Sequence, residues 1–165
     1  MVNLKFAKLH EDVIIPSKRE EDGGFDINAN FNAPYMVIRP QETKIIPTGL
    51  ISSFPAGHVI VLKERGSTGT KGMAQRAGVI DSGYRGEWLV PITNTNNRPI
   101  VILKSTDPEE IKVFERDYVI HPYSKAICQA LLLELPTVEI EECPATEIMA
   151  DNSLRGTGRL GSSGK

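Results

Sequence analysis

The sequence contains little cysteine and no long apolar run, and each shortage excludes a class of protein. Two cysteines, Cys128 and Cys143, are too few for a disulfide framework and match no metal-site spacing, so we expect a reducing, cytoplasmic location. The longest apolar run, AICQALLLEL, is interrupted by Gln129 and Glu134 and is too short to cross a bilayer. The N-terminal stretch MVNLKFAKLHEDVIIP lacks the apolar segment of a signal peptide.

Length and charge narrow the class further. With 165 residues, the chain is long enough for one domain with a buried core. Its formal net charge is −2, and acidic and basic residues are interspersed. A nucleic-acid-binding or membrane-surface protein would show a basic patch, so we expect no nucleic acid and no membrane among its partners.

Short segments rich in β-branched residues recur along the chain, bounded by proline, glycine or asparagine. Their length and alternation predict β-strands, and the 11 prolines leave little room for long helices. Many short strands at regular spacing indicate an all-β sandwich, barrel or jelly roll. The predicted strands are VNLKFAKL, YMVIRP, TKIIP, HVIVLKE, EWLVPIT, RPIVILK and TVEIEE.

Two regions depart from the strand pattern. Residues 105–124 are highly charged and resemble an insertion, which we expect to form a hairpin or a short helix. From about Thr146 the apolar pattern stops, so the tail cannot bury much of itself. The predicted organisation is a β domain over 1–145, with the insertion at about 105–124, followed by a C-terminal arm over 146–165.

Two glycine-rich segments combine hydroxyl and basic side chains, as anion-binding loops do. KERGSTGTKGM (63–73) follows a predicted strand, and Ser67 could cap a short helix there. The Gly-Lys-Ser/Thr order of a P-loop is missing, so this segment alone fits either a hairpin loop or a phosphate site. RGTGRLGSSGK in the arm repeats the chemistry, although Gly-Ser-Ser-Gly is also typical of a linker.

Three further segments place single polar residues among apolar or turn-forming ones. GVIDSGYRGEW (78–88) has one aspartate, Asp81, after two β-branched residues. EEDGGFDINANF (21–32) has a Gly-Gly turn before Asp26, which alone fits a capped turn. Gln129 lies inside an apolar strand and must find a hydrogen-bond partner there. No role is assigned to the isolated histidines His10, His58 and His121.

Taken together and in this order, five polar, glycine-bearing segments resemble the motifs of the trimeric dUTPase family. They are DGGFDI (22–27), ERGSTGTKG (64–72), AGVIDSGYRGE (77–87), YSKAICQALL (123–132) and RGTGRLGSSG (155–164). The resemblance covers nearly the whole chain, and the third and fifth motifs are the most specific. It implies a jelly-roll-like β-barrel with a flexible C-terminal arm. It also implies hydrolysis of dUTP to dUMP and pyrophosphate, which lowers dUTP and supplies dUMP for thymidylate synthesis.

The resemblance assigns roles to individual residues. Asp81 matches the catalytic aspartate, which contacts the deoxyribose 3′-hydroxyl and orients the attacking water. Tyr84 matches the aromatic residue packed against the sugar, where it leaves no room for a 2′-hydroxyl. Asp26 and Gln129 match residues that hold Mg²⁺ through water. The other residues implied in substrate binding are Arg65, Gly66, Ser67, Lys71, Gln75, Gly78, Val79, Ile80, Gln129, Arg155, Leu160, Gly161, Ser162 and Ser163.

The chemistry of the reaction is consistent with these roles. Water is a poor nucleophile, so a positioned carboxylate helps to orient and deprotonate it. Arg65, Lys71 and Arg155 would stabilise negative charge as it develops on the pyrophosphate. Mg²⁺ keeps most of its waters when it binds phosphates. Backbone groups of the third-motif hairpin could read uracil, because cytosine would leave buried polar groups unpaired.

The resemblance further implies a homotrimer in which three subunits share each site. One subunit gives the second motif, another the third, and the last lends its arm. Three positions depart from the family pattern. Gly66 stands where a serine is usual, Leu160 where an aromatic residue is usual, and Gln75 where asparagine is common.

Three alternatives remain open. A dCTP deaminase shares the fold and the triphosphate site, but it needs a glutamate near the place where Pro91 stands. A phage-type dUTPase that also binds a repressor protein would have the 105–124 insertion as its surface for that partner. A catalytically inactive relative would bind the nucleotide without hydrolysing it.

Overall fold

The computed structural model describes residues 2–153 and Gly156. The chain divides into two compact units, Met1–Leu135 and Pro136–Lys165. The boundary that the sequence predicts near residue 145 stays a prediction. Five residues with predicted roles in substrate binding lie outside the described residues: Arg155, Leu160, Gly161, Ser162 and Ser163.

The first unit is built from short strands, which confirms the predicted all-β fold. The strands are β1 (Lys5–Lys8), β2 (Phe25–Ile27), β3 (Tyr35–Ile38), β4 (Thr43–Pro47), β5 (Leu50–Ser53), β6 (His58–Lys63), β7 (Met73–Gln75), β8 (Val79–Asp81), β9 (Leu89–Asn94), β10 (Ile100–Leu103), β11 (Val119–Pro122) and β12 (Cys128–Glu134). The described helices are α1 (Gly66–Gly69), α2 (Pro108–Asp117) and α3 (Ala145–Ala150), the last in the second unit. None of these helices is long and apolar enough to span a membrane.

The strands pair into four sheets whose neighbours are mostly distant in sequence. Their orders are β1-β5, β11-β10-β3, β2-β12-β6-β8 and β4-β9-β7. The four-stranded sheet positions part of the predicted site, and in it β12 places Gln129 opposite Asp26 of β2. In the same sheet, β6 places Val59 opposite Asp81 of β8. One sheet therefore carries residues of the first, third and fourth motifs.

One hydrophobic core holds the sheets of the first unit together, and the third motif is anchored in it through Trp88. The Trp88 ring is fully buried and packs edge-on against Phe6, with ring centroids 5.3 Å apart. Its Nε1 donates to Ser52 Oγ at 3.1 Å, and its carbonyl accepts from Thr48 Oγ1 at 2.7 Å. The hairpin that carries Asp81 therefore ends on a fixed point of the core.

The predicted insertion over 105–124 forms a short helix followed by a strand. The carboxylate of Asp107 accepts from the N–H of Glu109 at 2.9 Å, and Pro108 is the first residue of α2. Both features are typical of a helix N-terminus. Arg98 Nη2 donates to three carbonyls near the other end of the helix. The helix matches one of the two predicted forms, whereas the parallel pairing of β11 with β10 was not predicted.

Two strand predictions need correction. The segment TVEIEE (137–142) forms no strand in the described chain, and Val138 and Ile140 are 69% and 93% exposed. Alternation alone does not make a strand, because its N–H and C=O groups need a neighbouring strand to pair with. The first strand covers only Lys5–Lys8, since it pairs over just that length with the four residues of β5.

Candidate active site

The third motif forms a hairpin with a small pocket beside it. Asp81 is the last residue of β8 and is exposed, and its carbonyl accepts from the N–H of Tyr84 at 3.0 Å, which closes the turn. The pocket has a volume of about 200 Å³. It is lined by Ala77, Gly78, Val79, Ile80, Asp81, Tyr84, Glu87, Leu89 and Pro91. The structure thus brings together five residues that the sequence assigns to catalysis or nucleoside binding.

The ring of Tyr84 is held against the backbone of the hairpin. Its hydroxyl donates to the carbonyl of Glu87 at 2.9 Å. Glycine is needed at position 86, because a Cβ there would lie 2.5 Å from Tyr84 Oη. The Glu87 carboxylate is engaged elsewhere, since its Oε1 accepts from the N–H of Gly49 at 2.7 Å. No described residue forms a hydrogen bond or ion pair with the Asp81 carboxylate, which makes it the more available acid of this pocket.

The backbone that enters the hairpin is strained. Ala77 has a φ of 56° and Gly78 a φ of 106°, and the carbonyl of Gly78 accepts from the N–H of Leu62 at 2.7 Å. The φ of Gly78 lies in a region that side-chain-bearing residues rarely adopt, so glycine is favoured there. Gln75 itself does not line the pocket. Its side chain donates to the carbonyl of Arg76 at 2.6 Å, and its predicted role in substrate binding stays a prediction.

The second motif forms the one-turn helix α1. Arg65 is its N-cap residue, and the N–H of Arg65 donates to Thr68 Oγ1 at 2.9 Å. The prediction that Ser67 caps this helix is therefore wrong, because the buried Thr68 supplies the hydroxyl and Ser67 lies inside the helix. The Ser67 hydroxyl instead lies 3.4 Å from Arg65 Nη1. A Cβ on Gly66 would meet no atom of the described residues within 4 Å, so nothing in that part of the chain requires glycine at this position.

Asp26, Gln129 and Arg65 meet where β2 and β12 lie side by side. Asp26 Oδ1 is 2.8 Å from Arg65 Nε. Gln129 Nε2 donates to the carbonyl of Glu64 at 2.8 Å, which is the partner that its place in an apolar strand requires. Gln129 Oε1 faces Gly24, where a Cβ would lie only 3.0 Å away. Glycine at position 24 therefore avoids crowding of the Gln129 amide oxygen.

A magnesium ion held through water fits this donor set. Mg²⁺ prefers oxygen ligands and usually keeps several waters. Asp26 and Gln129 offer a carboxylate and an amide oxygen in a pocket whose other lining residues are Ser17, Arg19, Asp22, Gly23, Gly24 and Arg65. Within residues 2–153 and Gly156, no group of three His, Cys, Asp or Glu side chains could hold a metal directly. Outer-shell binding is therefore the mode that the described residues fit.

Glu64 connects the second and fourth motifs, a role that the sequence did not reveal. Its carbonyl accepts from Gln129, and its Oε1 accepts from the N–H of Gln75 at 3.0 Å. Hydrogen bonds from its own backbone N–H and from that of Gln75 lower the pKa of the Glu64 carboxyl. A carboxylate that stays ionised here can keep the turn after β6 fixed, and with it the start of α1.

A cationic pocket brings the predicted phosphate-binding residues together with the segment after β11. Its volume is about 350 Å³, and it is lined by Arg65, Ser67, Lys71, His121, Pro122 and Lys125. Each charged residue in this lining is a cation, so the pocket suits an anion. Sequence reasoning assigned no role to His121, which is isolated, or to Lys125, although Lys125 lies within the fourth motif (123–132).

The pocket beside Tyr84 and the cationic pocket share no lining residue. Asp81 lies in the first, whereas Arg65, Ser67 and Lys71 lie in the second. The predicted catalytic group and the predicted phosphate-binding groups therefore form two separate sets within the described part of a single chain.

Comparison with known proteins adds evidence from outside the chain. The dUTPase family model matches residues 11–106. The chain is 30% identical over 171 residues to the deoxyuridine 5′-triphosphate nucleotidohydrolase of Nautilia profundicola, covering 99% of this chain and 100% of that protein. A mutant Staphylococcus bacteriophage 80alpha dUTPase with dUpNHpp has a similar fold, with a TM-score of 0.74, 23% identity and 99% of each chain covered. A mutant dUTPase from phage phi11 of S. aureus, with a structural Mg(II) ion, has a TM-score of 0.66 and 21% identity over 86% of this chain and 96% of that one.

Proposed function

This chain belongs to the dUTPase family, and we propose that it hydrolyses dUTP to dUMP and pyrophosphate. The observation that carries the proposal is an available carboxylate, Asp81, beside a small pocket that Tyr84 lines. The Nautilia relative is named for hydrolysis of this nucleotide. The reaction lowers dUTP and supplies dUMP for thymidylate synthesis.

The proposed catalytic step uses Asp81 as the group that orients a water molecule and accepts its proton. The oxygen of that water bonds to the α-phosphorus, and the bond from the α-phosphorus to the departing pyrophosphate oxygen breaks. Negative charge then grows on the leaving group, where Arg65 and Lys71 would stabilise it. Tyr84 packs against the sugar, and the backbone of Gly78 to Ile80 reads the base. Support comes from the shared pocket of Asp81, Tyr84 and this backbone segment.

Mg²⁺ is the proposed cofactor, held through water by Asp26 and Gln129. When bound, the ion would offset charge on the phosphate oxygens. The support is the pair of oxygen acceptors that the β2-β12 register places opposite each other, in one pocket. The phi11 dUTPase structure holds a structural Mg(II) ion, so a protein of this fold can bind this metal.

A homotrimer with shared sites is the proposed assembly. In one chain, Asp81 and the cationic residues line different pockets, so a complete site needs groups from more than one copy if these assignments hold. The apolar side chains of Val138 and Ile140 are exposed in the single chain, and a neighbouring copy could cover them. The proposed arm residues Arg155, Leu160, Gly161, Ser162 and Ser163 would close over the triphosphate.

The dCTP deaminase alternative is disfavoured, because the glutamate that would protonate the cytosine ring is missing from its expected place. A deaminase has to protonate the cytosine ring, and the only carboxylates among the described lining residues of the Tyr84 pocket are Asp81 and Glu87. One oxygen of Glu87 accepts from the N–H of Gly49, and Pro91 stands near the place where the deaminase glutamate is expected. This arrangement favours hydrolysis of the phosphate chain.

A protein partner at the 105–124 insertion is a second proposal, and one observation favours it. Val113 of α2 is 61% exposed, so the helix presents an apolar side chain to solvent. If a repressor-type protein binds there, Val113→Asp should abolish its binding and leave dUTP hydrolysis unchanged. If a purified candidate partner binds the wild type and Val113→Asp equally well, this surface is excluded as its binding site.

Incubation with dUTP, dTTP, dCTP and UTP in the presence of Mg²⁺ tests the main proposal. Pyrophosphate should appear with dUTP and largely fail to appear with the other nucleotides, and a chelator should stop the reaction. Release of orthophosphate would overturn the assignment, as would equal use of dCTP. Binding of dUTP without any product would indicate the catalytically inactive alternative.

A further inference from the structure

Lys125 is the cation of the cationic pocket whose charged group forms no hydrogen bond or ion pair within the described chain. Arg65 is paired with Asp26, and Lys71 Nζ donates to the carbonyl of Ile120 at 3.0 Å. No hydrogen bond or ion pair involves the Lys125 ammonium among residues 2–153 and Gly156. The same pocket has no acidic lining residue, so nothing in it compensates this charge.

The backbone that carries Lys125 is fixed by its neighbours. The N–H of Lys125 donates to the carbonyl of Pro122 at 2.9 Å, which closes a turn directly after β11. The ring of His121 is 3% exposed, and its Nε2 lies 3.2 Å from the carbonyl of Lys125. Because a carbonyl can only accept, Nε2 carries a proton in this contact. Burial is the main cause that lowers the pKa of His121, and the nearby charges of Lys71 and Arg65 act in the same direction.

We propose that Lys125 is a further phosphate-binding residue, whose ammonium joins Arg65 and Lys71 on the triphosphate tail of the substrate, and that His121 positions it. The inference rests on the proposed function of the same site and adds two residues to it. The turn after β11 places the ammonium of Lys125, which has no hydrogen-bond or ion-pair partner in the described chain, at this pocket. The other two cations of the pocket, Arg65 and Lys71, already have partners. A polyanion is the ligand class that such a lining recognises, and a charge-assisted contact to phosphate is among the stronger hydrogen bonds.

Calorimetric binding with inorganic pyrophosphate and with the non-hydrolysable analogue dUpNHpp tests the role of Lys125. We expect Lys125→Gln to weaken both by roughly five- to twentyfold, the loss of one charge-assisted hydrogen bond at an exposed group. Lys125→Arg should restore most of the affinity. Inhibition by deoxyuridine, which has no phosphate, should stay unchanged. Lys8→Gln is the matched control, because Lys8 is an exposed lysine on β1 outside these pockets.

Two results would overturn the inference. One is pyrophosphate affinity in Lys125→Gln equal to that of the wild type. The other is an equal loss in Lys8→Gln. A wild-type protein that binds pyrophosphate and the analogue but releases no product from dUTP would refute the proposed function and leave the Lys125 result intact. Active wild-type protein with unaltered binding in Lys125→Gln would refute the inference alone.

The positioning role of His121 has a separate readout. His121→Leu removes the donor to the Lys125 carbonyl, so it should weaken pyrophosphate binding in the wild-type background. In the Lys125→Gln background the same change should have little further effect, because the residue it positions is already gone. His121→Gln keeps a donor and should retain part of the affinity. Losses that simply add would overturn the positioning role, and if His121→Leu does not fold, the same cycle run with His121→Gln decides it.

Discussion

The carboxylate of Asp26 and the guanidinium of Arg65 form an ion pair with 2.8 Å between Oδ1 and Nε, and this contact joins the first motif to the second. Arg65 is also the N-cap residue of α1 and lines both the pocket around Asp26 and the cationic pocket. Both side chains are partly exposed, so the pair adds little to stability. Its consequence is geometric, because it fixes the direction of the Arg65 side chain between the proposed metal site and the proposed phosphate site.

Asp26→Asn should raise the Mg²⁺ requirement of the reaction. The amide keeps the shape of the side chain but loses the charge that favours a hydrated cation, and outer-shell changes of this kind cost roughly 10- to 100-fold in metal affinity. The measurement is activity against Mg²⁺ concentration. Asp22→Asn is the control, because Asp22 lines the same pocket but is not one of the two residues, Asp26 and Gln129, proposed to hold the ion. An unchanged Mg²⁺ requirement in Asp26→Asn would remove Asp26 from the metal site.

Asp81→Asn should lower the turnover of dUTP by roughly 10²- to 10⁴-fold, the usual contribution of a general base. The exposed side chain is nearly isosteric with its replacement, so the melting temperature should hold. Binding of dUpNHpp should change far less than turnover. Glu87→Gln is the matched control, because its amide oxygen can still accept from the N–H of Gly49 and activity should survive. Near-normal turnover in Asp81→Asn, or a comparable loss in Glu87→Gln, would contradict the assignment of Asp81 as the general base.

Gly86→Ala should impair the sugar pocket through Tyr84. The new Cβ would lie 2.5 Å from Tyr84 Oη, so the ring has to move away from the carbonyl of Glu87. A displacement of this size should lower kcat/KM for dUTP by roughly 10- to 100-fold, and the preference for dUTP over UTP should narrow. Gly83→Ala in the same hairpin meets nothing within 4 Å and should behave as wild type. Equal kinetics for the two variants would mean that the Tyr84 ring does not set the selectivity.

The sequence predicts best what depends on local pattern. Alternation and turn residues predicted half of the strands, and the strand that carries Gln129 was expected to give it a hydrogen-bond partner. The same alternation wrongly predicted a strand at 137–142, because Val138 and Ile140 have no neighbouring strand in the described chain. A strand depends on its partner, and a partner from another copy is not encoded in the local pattern.

Contacts between turns that are distant in sequence could not be predicted from the sequence. The contact of Asp26 with Arg65 depends on the register of β2 and β12 and on the direction that α1 takes after β6. His121 and Lys125 join the cationic pocket through the parallel pairing of β11 with β10. None of the five motifs predicts this pairing. Ser67 was assigned as a cap because it has the right side chain, yet Thr68 is the residue in the position to bond with Arg65.

Two inactive variants should restore activity when they are refolded together, if three subunits share each site. Asp81→Asn retains its arm but lacks the catalytic carboxylate. A chain cut after Asn152 retains Asp81 but lacks the arm residues from Arg155 onward. Each should be inactive alone, and the measurement is pyrophosphate release after the two are unfolded, mixed and refolded.

Activity is expected in the mixture, because a mixed trimer can combine Asp81 of a truncated chain with the arm of a full-length chain. The truncated chain refolded alone and the Asp81→Asn chain refolded alone are the controls, and tags of different mass verify that mixed trimers form. An arm that serves the Asp81 of its own chain could never complete a site in any mixture. Verified mixed trimers without activity would therefore exclude the shared site, while dUTP hydrolysis by the wild-type chain would still stand.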